Sequence, residues 1–282
     1  MGSFPIARVG FGAMQLPGPG VFGPPRDRAE AIEVLRLAVE LGVNHIDTAQ
    51  YYGPDVANEL IRDALYPYPD SLVIVSKVGA RRDGSGHWLP ADSPAELRSG
   101  VEANLASLGV DRLHAVNLRV RPGPADGEHG ERFSEQLNTM AELRREGLIA
   151  GVGVSNVTEE QLHFARGVTD LVCVQNPMNV ADRSSSSVLR ACGELGIAFI
   201  PFFPLGSAFG DTNAVLSSPE VRSVAGRLGV SPAQVALAWL LEQGPHVVLI
   251  PGTSSTRHLR ENLASADVVI DDAARSQLAN QA

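Results

Sequence analysis

A single (β/α)8 (TIM) barrel is the α/β fold this sequence predicts, and three observations predict it. Short β-branched runs alternate with amphipathic stretches from one end of the 282 residues to the other. There are eight such runs, and their apolar density suits strands covered on both faces of a parallel sheet. The first run leads into GFGAMQ (Gly10–Gln15) with no helical pattern behind it, so the phosphate loop of an open, doubly wound sheet is missing there. One barrel domain over residues 1–282 is therefore expected, since α/β barrels of this length commonly form one unit.

The elements follow in order. Arg8–Gly12 is the first strand. Arg28–Leu41 places Ala31, Leu35, Ala38 and Val39 on one helical stripe, and Gly42 ends it. Strands Val43–Asp47 and Leu72–Lys77 come next. Ser93–Leu108 begins with a capping residue, Pro94 in the first helical position and Glu96 three residues after the cap; Gly109 closes it. Leu113–Arg119 and Ile149–Val154 are strands, with Gly147 just before the second. Thr158 caps a helix whose first turn holds Glu159, Glu160 and Gln161. After the strand Leu171–Gln175, the Ser184–Ser187 run starts a helix that Gly196 stops. Ile197–Phe202 is a strand, Ser231–Glu242 repeats the Ser-Pro start, and Val247–Ile250 is the last strand.

Composition narrows the function. With 23 basic and 32 acidic residues the formal charge is -9, and no long basic run occurs, which argues against nucleic acid or an anionic membrane as partner. Cys173 and Cys192 form no CxxC pair, so a disulfide framework or zinc site is not expected. No apolar run approaches the ~20 residues of a membrane span, and MGSFPIARVGFG lacks the charged and apolar regions of a signal peptide. A cytoplasmic protein is expected, with a monomer plausible. The seven histidines are scattered, with only His87 and His258 near strand exits, so no metal is expected.

Barrel chemistry gathers where strands end. The exits read Asp47, Lys77, Arg119, Ser155–Asn156, Gln175–Asn176, Phe202–Gly206 and Pro251–Ser255. Solubility does not require polar groups at nearly every one.

HIDTAQYYG (His45–Gly53), IVSK (Ile74–Lys77), GVSN (Gly153–Asn156), VQN (Val174–Asn176), FPLG (Phe203–Gly206) and IPGTSS with LRENL (Ile250–Leu263) resemble the aldo-keto reductases, in family order along nearly the whole chain. GPGVFGPPRDR, VNLRV, PFFPLG and PGTSS further resemble a bacterial, pyridoxal-reductase-like branch. The resemblance implies NADP(H) as cofactor, with tolerance of NAD(H), and a small aldehyde or ketone as substrate, pyridoxal being a candidate. It also implies a catalytic Asp, Tyr and Lys, which fall on Asp47, Tyr52 and Lys77. The chemistry is coherent: hydride transfer to a carbonyl leaves an alkoxide that needs a proton. A phenol of ordinary pKa near ~10 gives one readily only if its anion is stabilised. Lys77 is the expected stabiliser, Asp47 its holder, and Tyr51 is expected to point elsewhere.

Arg119 stands where the family usually has a fourth catalytic residue, His; the preceding His114 reads as structural. Arg119 can polarise the carbonyl oxygen, bind an anionic or phenolate substituent, or merely pair with a carboxylate. For the cofactor, the resemblance points to Ser155, Asn156 and Gln175 at the carboxamide, Phe202 stacked on the nicotinamide, Phe203 (for a common Ser) and Pro204 also in contact with the cofactor, and Leu205 and Gly206 offering backbone N–H groups to the pyrophosphate. Gly12, Ala13 and Met14 would border the nicotinamide. Gly252, Thr253, Ser254, Ser255, His258, Glu261 and Asn262 would form the phosphate and adenine clamp, opening a short helix. Gly252 and His258 replace the family's Lys and Arg, and Arg257 or Arg260 is the expected compensation. Trp88 and Arg121 are candidate substrate-pocket residues. The alternative function is an NADP(H)-binding sensor or regulatory subunit with little turnover.

Overall fold

The protein is seen here as a computed structural model that describes residues 1–121, 130–206 and 213–279. In chain order it runs β1 (Phe11–Gly12), α1 (Arg28–Glu40), β2 (His45–Asp47), α2 (Val56–Leu65), β3 (Val73–Arg82), β4 (Trp88–Ala91), α3 (Pro94–Leu108), β5 (Ala115–Arg119) and α4 (Glu131–Arg145). It continues with β6 (Val152–Ser155), α5 (Glu159–Val168), β7 (Leu171–Pro177), α6 (Ser186–Leu195), β8 (Ala198–Phe202), α7 (Ala214–Ser217), α8 (Pro219–Leu228), α9 (Pro232–Leu241), α10 (Thr256–Leu263) and α11 (Asp272–Ala279).

Seven strands pair in parallel in the order β1-β2-β3-β5-β6-β7-β8. The sheet curls. Single parallel bridges tie Leu249 to Val9, just before β1, and Val247 to Phe199 in β8, so the 247–249 segment touches both edges. Helices cover the outer face, and the strand residues Ile46, Val116, Val152, Val154 and Phe199 are buried in the core with α1, α3 and α9. No single helix among the described residues is long and apolar enough to cross a membrane.

The local signals act as anticipated at three helix starts. Ser93, Thr158 and Ser231 each accept a backbone N–H three residues on, and Glu96, Gln161 and Gln234 reach back to complete capping boxes. Gly109 and Gly196 end α3 and α6 in the left-handed region that glycine enters without a Cβ clash.

Two elements differ from expectation. The expected strand Val247–Ile250 makes only isolated bridges. Pro245 and Pro251 flank it, and neither has an N–H for a longer ladder. The strand expected to end at Lys77 instead runs on to Arg82 and returns as antiparallel β4. Gly79, at φ +104, turns the strand out over β5, where a Cβ would come within 2.7 Å of the Arg119 carbonyl oxygen. Asp83 then closes the hairpin by accepting from the Ser85 and His87 amides.

Candidate active site

The centre of the site is a buried carboxylate with two partners. Asp47 ends β2 and Lys77 lies in β3 one strand over, and the two form an ion pair. Lys77 Nζ also donates to the Thr48 carbonyl at 3.1 Å. The other Asp47 oxygen, Oδ2, accepts from Gln175 Nε2 at 2.6 Å. Gln175 sits on β7, which is not a sheet neighbour of β2, so this bond crosses the interior of the curled sheet. Such a pair must keep all its partners, because a lone buried charge is severely unfavourable.

A polar network behind the ion pair was not anticipated from the sequence. Thr48 Oγ1 donates to Asn58 Oδ1, Asn58 Nδ2 to Asn104 Oδ1, and Ser76 Oγ to Asn104 Oδ1, at 2.8, 3.0 and 2.5 Å. All four residues are buried. Asn58 and Asn104 lie on the core faces of α2 and α3, and that was the available signal: an amide on an apolar stripe needs a partner.

Tyr52 is buried beside this pair, its ring centroid 5.0 Å from Lys77 Nζ. The expected lowering of its pKa by Lys77 is not found. Burial, foremost, and then the Asp47 carboxylate push the Tyr52 phenol above its ordinary range, while Arg119 pulls it down. Lys77 has its charge answered by Asp47, which explains why it does not dominate. Tyr51 is also corrected. It does not point away but lines the same cavity, edge-on to Tyr52 at 5.4 Å and to Trp88 at 5.5 Å. Its hydroxyl is buried without a partner, and burial raises its phenol as well.

That cavity, about 560 Å3, is lined by Met14, Tyr51, Tyr52, Lys77, Trp88, Arg119, Ser155, Asn156, Gln175, Phe202 and Phe203. The register explains part of the gathering: Arg119 pairs with Ser155 across β5 and β6, and Ser155 with Gln175 across β6 and β7. Trp88 is held by Arg82, whose guanidinium lies 4.2 Å from its ring centroid and donates to the Gly20, Val21 and Gly86 carbonyls. Arg119 has no ion pair among the described residues, so the merely structural role for it finds no partner. Arg121, by contrast, is bound to Asp92 at 2.7 Å and lines none of the three cavities described here, so the structure does not bring it to the proposed substrate wall among the described residues.

A second space of about 360 Å3 shares Met14, Tyr52, Lys77, Phe202 and Phe203 with the first and adds Gly12, Pro204, Leu205, Gly206 and Gly252. Phe203 turns the chain at φ +54, and its carbonyl accepts from Gly206 N and Asn179 Nδ2. A third space, about 520 Å3, shares Met14 and Gln15 with the second and is lined by residues 16–21, Pro25, Arg26, Asp27, Glu30, Ser254 and Ser255. Together they make one long groove. Ala13 is buried behind it, and Thr253 is buried with its hydroxyl accepting from Ser255 N. His258, Glu261 and Asn262 line none of these three spaces: Glu261 pairs with Arg257, which also bonds His258, and Asn262 is buried. The expected compensation by Arg257 thus meets a competing carboxylate. A Lys at 252 is excluded in this backbone, because a Cβ there would lie 2.6 Å from the Gly12 carbonyl oxygen.

The residues fit a nicotinamide. Gln175 Oε1 is buried in the cavity wall without a hydrogen-bond partner, an acceptor suited to a carboxamide N–H.

Comparison with known proteins agrees with the geometry. The sequence model of the aldo/keto reductase family matches residues 8–280. Pyridoxine 4-dehydrogenase of Escherichia coli (strain K12) is 50% identical over 278 residues, covering 99% of this chain and 96% of that protein. The crystal structure of the thermostable aldo-keto reductase Tm1743 with the inhibitor epalrestat superposes with a TM-score of 0.81 at 29% identity, covering 98% of this chain and 96% of the other. An aldo-keto reductase from Klebsiella pneumoniae, solved with NADPH, shares the fold at a TM-score of 0.80 and 24% identity, covering 98% and 90%.

Proposed function

The chain belongs to the aldo/keto reductase family, and from that premise we propose that it is an NADP(H)-dependent oxidoreductase reducing small aldehydes or ketones to alcohols, pyridoxal among them. We place the work in one closed (β/α)8 barrel domain spanning the chain, the 247–249 bridges joining its edges. The observation that carries the reading is the convergence of Tyr52, Lys77 and Arg119 on one cavity, with Asp47 bound to Lys77.

The bound reduced nicotinamide supplies the hydride that forms the new C–H bond. As the carbonyl π pair moves to oxygen, Tyr52 gives that oxygen its proton. Burial keeps Tyr52 protonated at neutral pH, and an alkoxide is a far stronger base than a phenolate, so the transfer runs downhill. Lys77, fixed by Asp47 and Thr48, supplies positive charge beside the phenol as it becomes an anion. Arg119 polarises the carbonyl. Gln175 Oε1, Ser155 and Asn156 orient the carboxamide, and Phe202 offers a stacking face. Arg26 lines the third space together with Ser254 and Ser255, and these three groups would take the 2′-phosphate.

A sensor or regulatory subunit is not favoured, because the relative at 50% identity is a dehydrogenase. The test is NADPH oxidation with an aldehyde panel that includes pyridoxal. Turnover that Tyr52→Phe leaves undiminished would overturn the assignment of the acid.

A further inference from the structure

The substrate cavity holds a cation with no ion-pair partner among the described residues. Lys77 is tied to Asp47, and both Asp47 oxygens are already bound, one by Lys77 and one by Gln175. Arg119, half-buried at the end of β5, faces the same cavity and pairs with no carboxylate among the described residues. Tyr51 and Tyr52 line that cavity with Arg119, and its charge pulls both buried phenols down, so the guanidinium shares the space in which a reacting oxygen must meet Tyr52. Aromatic rings form much of the wall, from Tyr51, Trp88, Phe202 and Phe203, with Met14 and the polar Ser155, Asn156 and Gln175 completing it. An aromatic slot with an unpaired guanidinium beside the proton donor calls for an aromatic ligand bearing a negative oxygen next to its carbonyl.

We propose that this site is built for aromatic aldehydes with an ionised hydroxyl ortho to the carbonyl, and that Arg119 recognises them by gripping both oxygens at once. The inference rests on the carbonyl-reductase reading above and names its substrate class. The two oxygens of such an aldehyde lie on one side of the ring, spaced much as in a carboxylate. The planar fork of Arg takes that shape with two parallel N–H donors, which a neutral His or a Lys ammonium cannot do. The phenolate takes no part in the electron balance. The carbonyl carbon gains the hydride, its oxygen gains the Tyr52 proton, and the ortho oxygen stays ionised and bound. One residue then serves as electrophile and as specificity determinant, a reason for Arg where the resemblance leads one to expect His.

The experiment compares benzaldehyde, 2-hydroxybenzaldehyde and 4-hydroxybenzaldehyde with NADPH, in the wild type, Arg119→Lys and Arg119→Leu. The wild type should favour the 2-hydroxy compound over both others by about tenfold or more in kcat/KM, the worth of one charge-assisted hydrogen bond. Arg119→Lys keeps the charge and loses the fork, so it should lower all rates and collapse that ratio to within about threefold. A second readout needs no turnover. The complex with NADP+ and 2-hydroxybenzaldehyde, held below the free phenol's pKa, should show the phenolate absorption band, and Arg119→Leu should abolish it. Three aldehydes reduced equally well, or a preference unchanged in Arg119→Lys, would overturn this inference and leave the function standing. No reduction of any aldehyde would overturn the function itself.

Discussion

Gln175 donates to Asp47 at 2.6 Å across 128 positions of sequence, from β7 to β2, and its other amide atom is left for a ligand. One side chain thus links the carboxylate that fixes Lys77 to the groove proposed for the nicotinamide. Gln175→Ala should weaken both. Stability should fall by about 1.5–3 kcal/mol, as for a lost hydrogen bond to a charge, and the NADPH dissociation constant should rise roughly tenfold. Urea unfolding and a cofactor fluorescence titration check the two parts.

Tyr52→Phe should lower kcat/KM for aldehydes by roughly 10²–10⁴-fold, the usual worth of a placed proton donor, with little change in NADPH affinity. Because burial holds the phenol above its ordinary range, the acid form persists through neutral and mildly alkaline pH. Reduction should therefore show no loss attributable to Tyr52 below about pH 10. Arg119 pulls the phenol down, so Arg119→Leu should move the alkaline limb higher still. A pH–rate profile of each variant measures this.

Arg26 is exposed in the groove with no ion pair among the described residues. Arg26→Ala should raise the dissociation constant for NADPH roughly three- to tenfold, the smaller figure reflecting solvent screening, and leave that for NADH unchanged. Gly252→Lys should weaken NADPH binding rather than restore a lysine contact, because its Cβ meets the Gly12 carbonyl. Equilibrium binding of the two nucleotides tests both variants.

His45 is enclosed in the strand interior with neither ring nitrogen hydrogen-bonded, and burial lowers it from 6.5 to about 4. The unfolded chain takes up this proton more readily, so the stability due to the neutral ring is complete above pH 6.5 and is lost as pH falls toward 4. The full loss is about 3 kcal/mol. His45→Gln should flatten the fall in Tm between pH 6.5 and 4, measured by thermal unfolding at several pH values. Gly10→Ala should destabilise at every pH, since its Cβ would lie 2.8 Å from the His45 ring.

Ser93 completes a capping box with Glu96 at the start of α3. Ser93→Ala should cost about 1 kcal/mol and leave the kinetics of reduction unaffected, which chemical denaturation with a parallel assay will show.

Much of this protein is written in local sequence. The strand runs, the Ser-Pro helix starts and the stop glycines act through neighbours a few residues apart, and their chemistry is complete without the rest of the chain. The same holds for the strand-exit residues Asp47, Lys77, Arg119 and Gln175, because strand polarity alone puts exits at one end. Tertiary packing decided what these residues do to one another. The Asp47–Gln175 bond exists only because the sheet curls. Tyr51 faces the cavity because Trp88 and Tyr52 hold it edge-on, and the strand bearing Trp88 turns back only through Gly79 and Asp83. Arg121 is held by Asp92, a partner distant in sequence that no local pattern names. The direction of the Tyr52 shift was also beyond reach: burial, the largest contribution, depends on every surrounding element, and no motif encodes it.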